Sequence, residues 1–284
     1  MPALIIHGGA GPARNKDGCR EITLVLARIA DLCWTQIQAG ESAIDIVTRA
    51  AVELENNPLF NAGFGSKLQK DGAARLSAAL MDGQRERFSG VVNVEGILNP
   101  ILLCAHLQDE RDRVLCGDGA REKARSIGLE EGNVRSPKAI DAWKKACEGE
   151  TGTIGAVVVD KEGRIAVATS TGGRGMEGPG RVSDSCTVAG NYATTAAGVS
   201  CTGIGEDIVD GALAVRLVTA VEAGLDIDSA AKTLQNQMLK MQWRAGLIGL
   251  DTSGKWIAIH TTDIMYWYAI DPTGHQHFTH PDDQ

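Results

Sequence analysis

Residues 155–169 read GAVVVDKEGRIAVAT, two runs of small and β-branched residues on either side of the turn Asp160-Lys161-Glu162-Gly163. That pattern predicts a β-hairpin whose strands are apolar on both faces. Such strands lie in sheets that are covered on both sides. The same design returns at 247–259, where LIGL and WIAI flank Asp251-Thr252-Ser253-Gly254. We therefore expect helices to cover sheets, or sheets to stack on each other with helices outside.

Apolar residues at helical spacing lie on both sides of these hairpins. They are Ile22, Val25, Leu26, Ile29, Leu32 and Cys33 in one segment, Ile44, Val47, Ala51 and Leu54 in the next, then Ile208, Ala212, Val215, Val218 and Val221 before Gly224, and Ala231, Leu234, Met238 and Met241. Ser42, with Asp45 three residues later, resembles a capping box at the start of the second segment.

Composition limits the class of protein. The 284 residues are 43% hydrophobic, which suffices for one large core or two modest ones, and the net charge of -8 disfavours nucleic-acid and anionic-membrane surfaces as partners. The seven cysteines are odd in number and form no C-x-x-C, as in reduced proteins. The N-terminus does not resemble a signal peptide, and no apolar run approaches the ~20 residues of a membrane span. We expect a single domain, 1–284, in the cytoplasm.

Candidate chemistry is concentrated between Gly152 and Gly205, where threonine, glycine and charged residues are dense. A threonine at a chain N-terminus carries a nucleophile and a base together, because its α-amine, with a pKa of ~7.7–8.0, can accept the hydroxyl proton. Thr153 follows Gly152, which permits the strained geometry of an N→O acyl shift. Residues 130–152 are charged and poorly periodic, and we expect an exposed linker there, cleaved after Gly152.

Two further groups fit a small zwitterionic substrate. Arg181 and Asp184 lie three residues apart in a Gly-Pro-rich loop and could hold an α-carboxylate and an α-ammonium. Thr202 and Gly203 could supply a hydroxyl and a backbone N–H to an oxyanion. Each feature alone has a simpler interpretation: Thr153 as the first residue of a strand, Arg181 with Asp184 as a surface ion pair, and the glycines as turn residues.

Taken together, five blocks resemble the plant-type asparaginase and isoaspartyl peptidase family of N-terminal nucleophile hydrolases. They are Ile6-His7-Gly8-Gly9-Ala10-Gly11, Pro58-Leu59-Phe60-Asn61-Ala62-Gly63-Phe64-Gly65, Gly152-Thr153-Ile154-Gly155-Ala156-Val157, the run from Thr169 to Ser185, and the run from Cys201 to Glu206. They come in the family's order and cover most of the chain. The resemblance implies an α+β fold, a four-layer αββα sandwich, and a homodimer of protomers each cleaved into 1–152 and 153–284.

The resemblance also implies roles for individual residues. Thr153 would be the nucleophile, with Thr171 as its hydroxyl partner, and Thr202 with Gly203 would form the oxyanion hole. Arg181 and Asp184 would bind the substrate's α-carboxylate and α-ammonium, Gly205 would line that pocket and Asn61 would help to order the site. The substrates would be L-asparagine and β-aspartyl dipeptides.

No cofactor for catalysis is implied, but a structural sodium ion is. It would be held by backbone carbonyls of the loop from Leu54 to Phe64, and hard cations prefer such oxygens. The carbonyls are those of Leu54, Glu55, Asn57, Phe60, Ala62 and Phe64.

The chain departs from the family pattern in a few places. Ser77 stands where an aspartate is usual, Ser183 replaces a glycine, Cys186 replaces a proline, and the segment Ile259–Met265 differs from the usual Asn-Thr-x-Gly-Met. We expect these changes to affect substrate preference and maturation.

Two other functions stay open from sequence. The strand, Gly-rich turn and helix at 201–210 also fit a nucleotide- or phosphate-binding module, although the third glycine of a dinucleotide motif and a P-loop are both missing. The chain could also be a relative that kept the fold and lost maturation. His7 leads the first Gly-rich block, and we interpret it as a buried structural histidine rather than a catalytic one.

Overall fold

A computed structural model describes residues 1–12, 16–145 and 152–278. The α-helices are Lys16–Ala39 (α1), Ala43–Glu55 (α2), Pro100–Leu107 (α3), Gly117–Ser126 (α4), Pro137–Lys144 (α5), Gly205–Gly211 (α6), Leu213–Glu222 (α7) and Ile227–Met241 (α8). The strands are Ala3–Gly11 (β1), Leu76–Asp82 (β2), Arg87–Val94 (β3), Val114–Cys116 (β4), Ile154–Val159 (β5), Ile165–Thr171 (β6), Asn191–Ala193 (β7), Ala197–Gly203 (β8), Ala245–Asp251 (β9), Trp256–His260 (β10), Ile264–Asp271 (β11) and Gly274–His277 (β12). The architecture is thus mixed, with helices and two sheets.

The hairpin predicted at 155–169 forms the centre of the larger sheet. That sheet has the order β12-β11-β1-β5-β6-β2-β3-β4, and β5 pairs antiparallel with both β1 and β6. Ala156 and Val158 pack into the core beneath α1–α5, whereas Val157 and Val159 pack into the core shared with the second sheet. The prediction of strands that are buried on both faces is confirmed, and it follows from this double coverage.

The second predicted hairpin is also confirmed, as β9 and β10 of a four-stranded sheet with the order β10-β9-β8-β7. Residues such as Ile248 and Leu250 of β9 face the larger sheet. Alternate residues such as Val199 of β8 and Leu247 of β9 pack with α7 and α8 on the other side. The described helices and strands therefore pack around three buried apolar clusters.

The helix predicted over 208–221 is wrong in one respect, because the structure divides it into α6 and α7 at Ala212. Ala212 has a left-handed backbone (φ 46°) and ends α6, and the amide of Ala214 donates to the carbonyl of Ala189, 2.8 Å away. A side-chain periodicity that continues across one residue cannot reveal such a turn.

Residues 130–145, expected in the exposed linker, are packed against the rest of the chain. Glu131 forms ion pairs with Arg121 and Arg125. Val134 is buried, and Ser136 caps the start of α5, because its hydroxyl accepts from the amide of Ala139. The remaining part of that predicted linker, 146–151, lies outside the described residues. Among the residues that are described, no helix is long and apolar enough to span a membrane.

Candidate active site

Thr153 lies immediately before β5, and the residue is 6% exposed. Its hydroxyl donates to Oγ1 of Thr171 at the end of β6, 3.1 Å away, and the same oxygen accepts from the amide of Gly173 at 3.2 Å. The β5–β6 register, which pairs Ile154 with Ser170, brings these two threonines together. Two residues that are 18 positions apart therefore meet because they flank one hairpin.

Asn61 joins three segments at this point. Its amide donates to the carbonyl of Gly152 at 3.2 Å, and its carbonyl accepts from the amide of Gly172 at 2.9 Å. Its side-chain Nδ2 donates to the carbonyl of Gly173 at 2.5 Å, and Oδ1 accepts from the amide of Lys67 at 2.9 Å. Both polar atoms of the side chain are therefore used within the protein.

Arg181 is held by Glu206 in the first turn of α6. Its Nε and Nη2 donate to the two carboxylate oxygens at 2.8 and 2.7 Å. Burial is the largest single influence on the pKa of Arg181 and lowers it, but the hydrogen bonds to Glu206 and the nearby carboxylate charges together raise the pKa. The same bonds lower the pKa of Glu206 to about 2. The guanidinium is fixed and charged, and its Nη1 edge is not used by Glu206.

Asp184 is buried and does not pair with Arg181, so a surface ion pair between these two residues is not formed. Burial raises the pKa of Asp184 to about 6, against the hydrogen bond that Ser183 Oγ donates to Oδ1 at 2.7 Å. Its other oxygen, Oδ2, is buried and has no hydrogen-bond partner among the residues of the described ranges. Oδ2 lies against Gly190, whereas Oδ1 is the oxygen next to the space at Gly205, so an ammonium group in that space would meet Oδ1, which has a further lone pair.

Position 205 has no room for a side chain, because it lies against Ser183, Asp184 and Arg181. A Cβ at Gly205 would lie 2.4 Å from Ser183 Oγ, 2.8 Å from Asp184 Oδ1 and 3.0 Å from Arg181 Nη2. The missing side chain therefore keeps open the space into which both charged groups point.

Thr202 and Gly203 end β8, next to β1. Thr202 is fully buried, and its hydroxyl accepts from the amide of Ala10 at 3.2 Å. Gly203 has φ +134°, and a Cβ there would lie 2.6 Å from the carbonyl oxygen of Arg244. Glycine is thus required at this turn, which leads directly into α6.

One pocket contains most of the predicted residues. Its lining includes Gly152, Thr153, Thr171, Arg181, Gly203 and Gly205. Asn61, Asp184 and Thr202 are not in the lining and lie directly behind it, through the contacts described above. Arg181 and the two threonines thus line one small space beside the Gly152–Thr153 bond, and Asp184 lies behind that lining.

Comparison with known proteins shows which family the chain belongs to. The family model described as Asparaginase matches residues 1–151 and 133–279. The chain belongs to the asparaginase family. It is 42% identical to the isoaspartyl peptidase/L-asparaginase of Synechocystis sp. over 89% of this chain and 83% of that protein. It is 34% identical to the Homo sapiens protein of the same name over 99% and 97%, and 33% identical to the plant-type L-asparaginase of Pyrococcus horikoshii over 95% and 97%.

The alternative of a nucleotide- or phosphate-binding module at the Gly-rich turn 201–206 loses support at α6. Its first turn carries Glu206, bound to Arg181, and Asp207, whose carboxylate accepts from the amide of Arg244 at 2.8 Å. Two carboxylates at a helix N-terminus repel a phosphate from the position where it would bind.

Two departures from the asparaginase-family pattern, Ser77 and the segment Ile259–Met265, form hydrogen bonds that hold the backbone near Arg181 and Gly203. Ser77 Oγ accepts from the amide of Asn93 at 3.2 Å, and Asn93 Nδ2 donates to the carbonyl of Arg181 at 3.2 Å. In the segment Ile259–Met265, the Thr261 hydroxyl donates to the carbonyl of Trp243 at 2.5 Å and accepts from the amide of Ala245 at 3.1 Å. These contacts of Thr261 hold the backbone of Trp243 and Ala245, and Ala245 is the strand partner of Gly203.

The loop from Leu54 to Phe64 folds its carbonyls inward. A Cβ at Gly63 would lie 2.3 Å from the carbonyl oxygen of Glu55, and one at Gly65 would lie 1.9 Å from that of Phe60. The carbonyls of Leu54, Asn57 and Ala62 each accept one backbone hydrogen bond, from Asn57, Phe60 and Gly65 respectively, which leaves each a second lone pair. A cradle of carbonyl oxygens around side-chain-free positions fits a hard monovalent cation.

The Glu55 side chain forms a separate buried contact below the site. Its carboxyl accepts from the hydroxyl of Ser170 at 2.6 Å, from Nδ2 of Asn99 at 3.2 Å and from the amide of Ile101 at 3.3 Å. Burial raises the pKa of Glu55 to about 8 despite these three donors. Glu55 is therefore a neutral acid at pH 7. Its bonding partner Ser170 is the residue that precedes Thr171 in the chain.

His7 belongs to a buried hydrogen-bonded chain between the sheets. Its Nε2 lies 3.1 Å from Ser200 Oγ, which lies 2.7 Å from Thr169 Oγ1, and Asn191 Nδ2 donates to that oxygen at 3.1 Å. Burial lowers the pKa of His7 to about 3, and the backbone of Thr153 opposes this shift more weakly. A Cβ at Gly155 would lie 2.4 Å from Nε2, so the imidazole occupies space that glycine leaves. The neutral ring makes structural contacts.

Sequence reasoning missed several residues that act on the site. Glu206 and Asn93 hold Arg181, and Arg174 lines the pocket. The sequence identifies Ser183 only as a departure from the family pattern and does not predict its bond to Asp184. Only Glu206 carried a usable signal, because it ends the block Cys201–Glu206 and begins a helix.

Proposed function

We propose that the chain is a self-maturing amidohydrolase that cleaves the β-amide bond of L-aspartyl substrates. The observation that carries the proposal is the Thr153 hydroxyl, hydrogen-bonded to Thr171 in a pocket that also holds Arg181 and the Gly152 backbone. The relatives named isoaspartyl peptidase/L-asparaginase and plant-type L-asparaginase support the reaction class.

Maturation begins with attack by the Thr153 oxygen on the carbonyl carbon of Gly152. The C–N bond breaks, the nitrogen takes up a proton to become an α-amine, and the resulting ester is hydrolysed by water to the Gly152 carboxylate. Asn61 supports this step, because its amide already donates to the Gly152 carbonyl on which negative charge would develop.

Turnover uses the α-amine that maturation creates. With a pKa of about 8, it accepts the hydroxyl proton as Thr153 attacks the substrate's β-carbonyl. Arg181 binds the α-carboxylate through its free edge, Asp184 binds the α-ammonium, and Thr202 with the Gly203 amide stabilises the oxyanion. Ammonia or an amino acid leaves, and water then hydrolyses the aspartyl ester to release L-aspartate. An α-linked aspartyl dipeptide lacks the free α-carboxylate, and we expect it to fail.

The rest of the proposal concerns assembly and setting. The two groups of helices around two stacked sheets support a four-layer αββα sandwich. We further propose a homodimer of cleaved protomers, a cytoplasmic location in keeping with six free cysteines in the described ranges, and a sodium ion in the loop from Leu54 to Phe64. Such an ion would stabilise the loop from which Asn61 reaches Gly152.

Mass spectrometry of freshly purified protein tests the proposal. Wild type should split without added protease into pieces of 152 and 132 residues (284 in total), the second beginning at Thr153, and should hydrolyse asparagine and β-Asp-Leu. Thr153→Ala should do neither, because the attacking hydroxyl is gone. Thr252→Ala, at an exposed turn, is the matched control and should behave as wild type. Hydrolysis by Thr153→Ala, or by a wild-type chain that stays intact, would place the nucleophile elsewhere.

A further inference from the structure

Arg174 lies in the pocket lining with Thr153 and Thr171, and no role is assigned to it above. The backbone on each side of it is anchored: the carbonyl of Gly173 accepts from Asn61 Nδ2, and the amide of Met176 donates to the carbonyl of Leu68 at 2.9 Å. Gly173 and Gly175 have φ of +83° and +85°, which turns the chain sharply around Arg174. The position of this arginine at the pocket is therefore fixed by the fold.

The charge of Arg174 is not neutralised within the part of the chain that the structure describes. It is exposed and makes no ion pair there, whereas the other arginine of the pocket is bound to Glu206. Its charge does reach the pocket rim, because it contributes to lowering the pKa of Glu206.

The charges of the substrate and the pocket can be matched one by one. The aspartyl head group is a zwitterion, and Arg181 and Asp184 suffice for its two charges. Asparagine has no further charge, but a β-aspartyl dipeptide carries one more, the free α-carboxylate of the leaving residue. Among the residues that line the pocket, Arg174 is a second cation, and it has no anion bound to it.

We propose that Arg174 binds the α-carboxylate of the leaving amino acid and so makes β-aspartyl dipeptides with a free C-terminus the preferred substrates. This inference rests on the proposed hydrolase function. A planar guanidinium suits a carboxylate, and the partly enclosed pocket makes the pair stronger than one at an open surface. Dipeptides whose C-terminus is amidated, and longer peptides, lose this contact.

The test compares kcat/KM for β-Asp-Leu, its C-terminal amide β-Asp-Leu-NH2, and asparagine. For wild type, kcat/KM should be about fivefold to tenfold higher for β-Asp-Leu than for β-Asp-Leu-NH2. That range lies between the effect of an exposed ion pair and that of a charge-assisted hydrogen bond. Arg174→Gln should reduce that ratio to about one through slower cleavage of the acid alone, and Arg174→Lys should retain part of it. Asparagine hydrolysis should stay within about twofold in each variant, as there is no second carboxylate to lose.

Arg111→Gln, an exposed arginine between α3 and β4, is the matched control and should keep the wild-type ratio. Equal rates on acid and amide with wild type would overturn the inference while leaving the hydrolase intact. An equal loss on all three substrates in Arg174→Gln would also overturn it, since Arg174 would then act through Arg181 and Glu206. Absence of activity on every substrate by the matured wild type would instead contradict the proposed function.

Discussion

Replacing Ser183 by alanine should move the acid limit of activity to higher pH. Asp184 must be ionised to bind an α-ammonium, and burial has already raised its pKa to about 6. Below that pH the carboxyl is protonated and uncharged, so kcat/KM falls as the pH falls through 6. The hydrogen bond from Ser183 Oγ, at 2.7 Å, favours the ionised form and is the contact that the substitution removes.

The size of the shift follows from the strength of that bond. A hydrogen bond to a charged group contributes about 1.5–3 kcal/mol, and one pKa unit corresponds to about 1.4 kcal/mol. Water in the open pocket replaces part of the bond, so we expect the pKa of Asp184 to rise by about one unit in Ser183→Ala. The ratio of wild-type to variant kcat/KM should then grow from near one above pH 8 to about tenfold below pH 5.

The assay is kcat/KM for β-Asp-Leu from pH 4.5 to 8.5 with both proteins. Taking the ratio at each pH cancels the titration of the Thr153 α-amine, which both proteins share. Ser185→Ala is the control: this buried serine follows Asp184 in the chain, and its hydroxyl has no partner in the described residues. A flat ratio for Ser183→Ala, or the same slope for Ser185→Ala, would refute the assignment of Asp184 to the ammonium.

Two further predictions concern stability. Because the pKa of Glu55 is raised to about 8, its contribution to stability is fully present below about pH 4.5 and is lost as the pH rises to about 8, by on the order of 4 kcal/mol. In the uncleaved Thr153→Ala background, urea unfolding of Glu55→Gln should lack this slope between pH 5 and 8, and an identical slope would show that Glu55 is ionised when folded. Sodium chloride should raise the thermal midpoint saturably relative to tetramethylammonium chloride at equal ionic strength, and equal midpoints would argue against a cation in the loop from Leu54 to Phe64.

The two hairpins and the start of α2 could be predicted from sequence because they depend on neighbours in the chain. Ser42 caps α2 through the amide of Asp45, and Val157 and Val158 face opposite cores because side chains alternate along a strand. The break at Ala212 could not be predicted, since it depends on a backbone contact with Ala189.

Site residues divide in the same way. Thr153, Thr171, Arg181 and Gly203 lie in sequence blocks that resemble a family, and the structure brings them into one pocket. The contact between Glu206 and Arg181 joins positions 25 residues apart, and the one between Ser77 and Asn93 depends on strand register. Spacing along the chain contains no information about either. The raised pKa of Glu55 likewise depends on burial by α3 and β6, which one segment cannot reveal.

The position of Gly152 links maturation to substrate binding. In the continuous chain, Gly152 lines the same pocket as Arg181 and Gly205, and its carbonyl is bound to the amide of Asn61. In the mechanism we propose, the α-amine that acts as base is still part of the peptide bond in the uncleaved chain, which also has its own backbone in the pocket. Cleavage removes both obstacles together, because the bond that releases the amine is the one that holds Gly152 in place. The uncleaved precursor should therefore be inactive for two independent reasons. Adding an external base to a precursor that still carries Thr153 would replace the missing base, but the Gly152 backbone would still occupy the pocket.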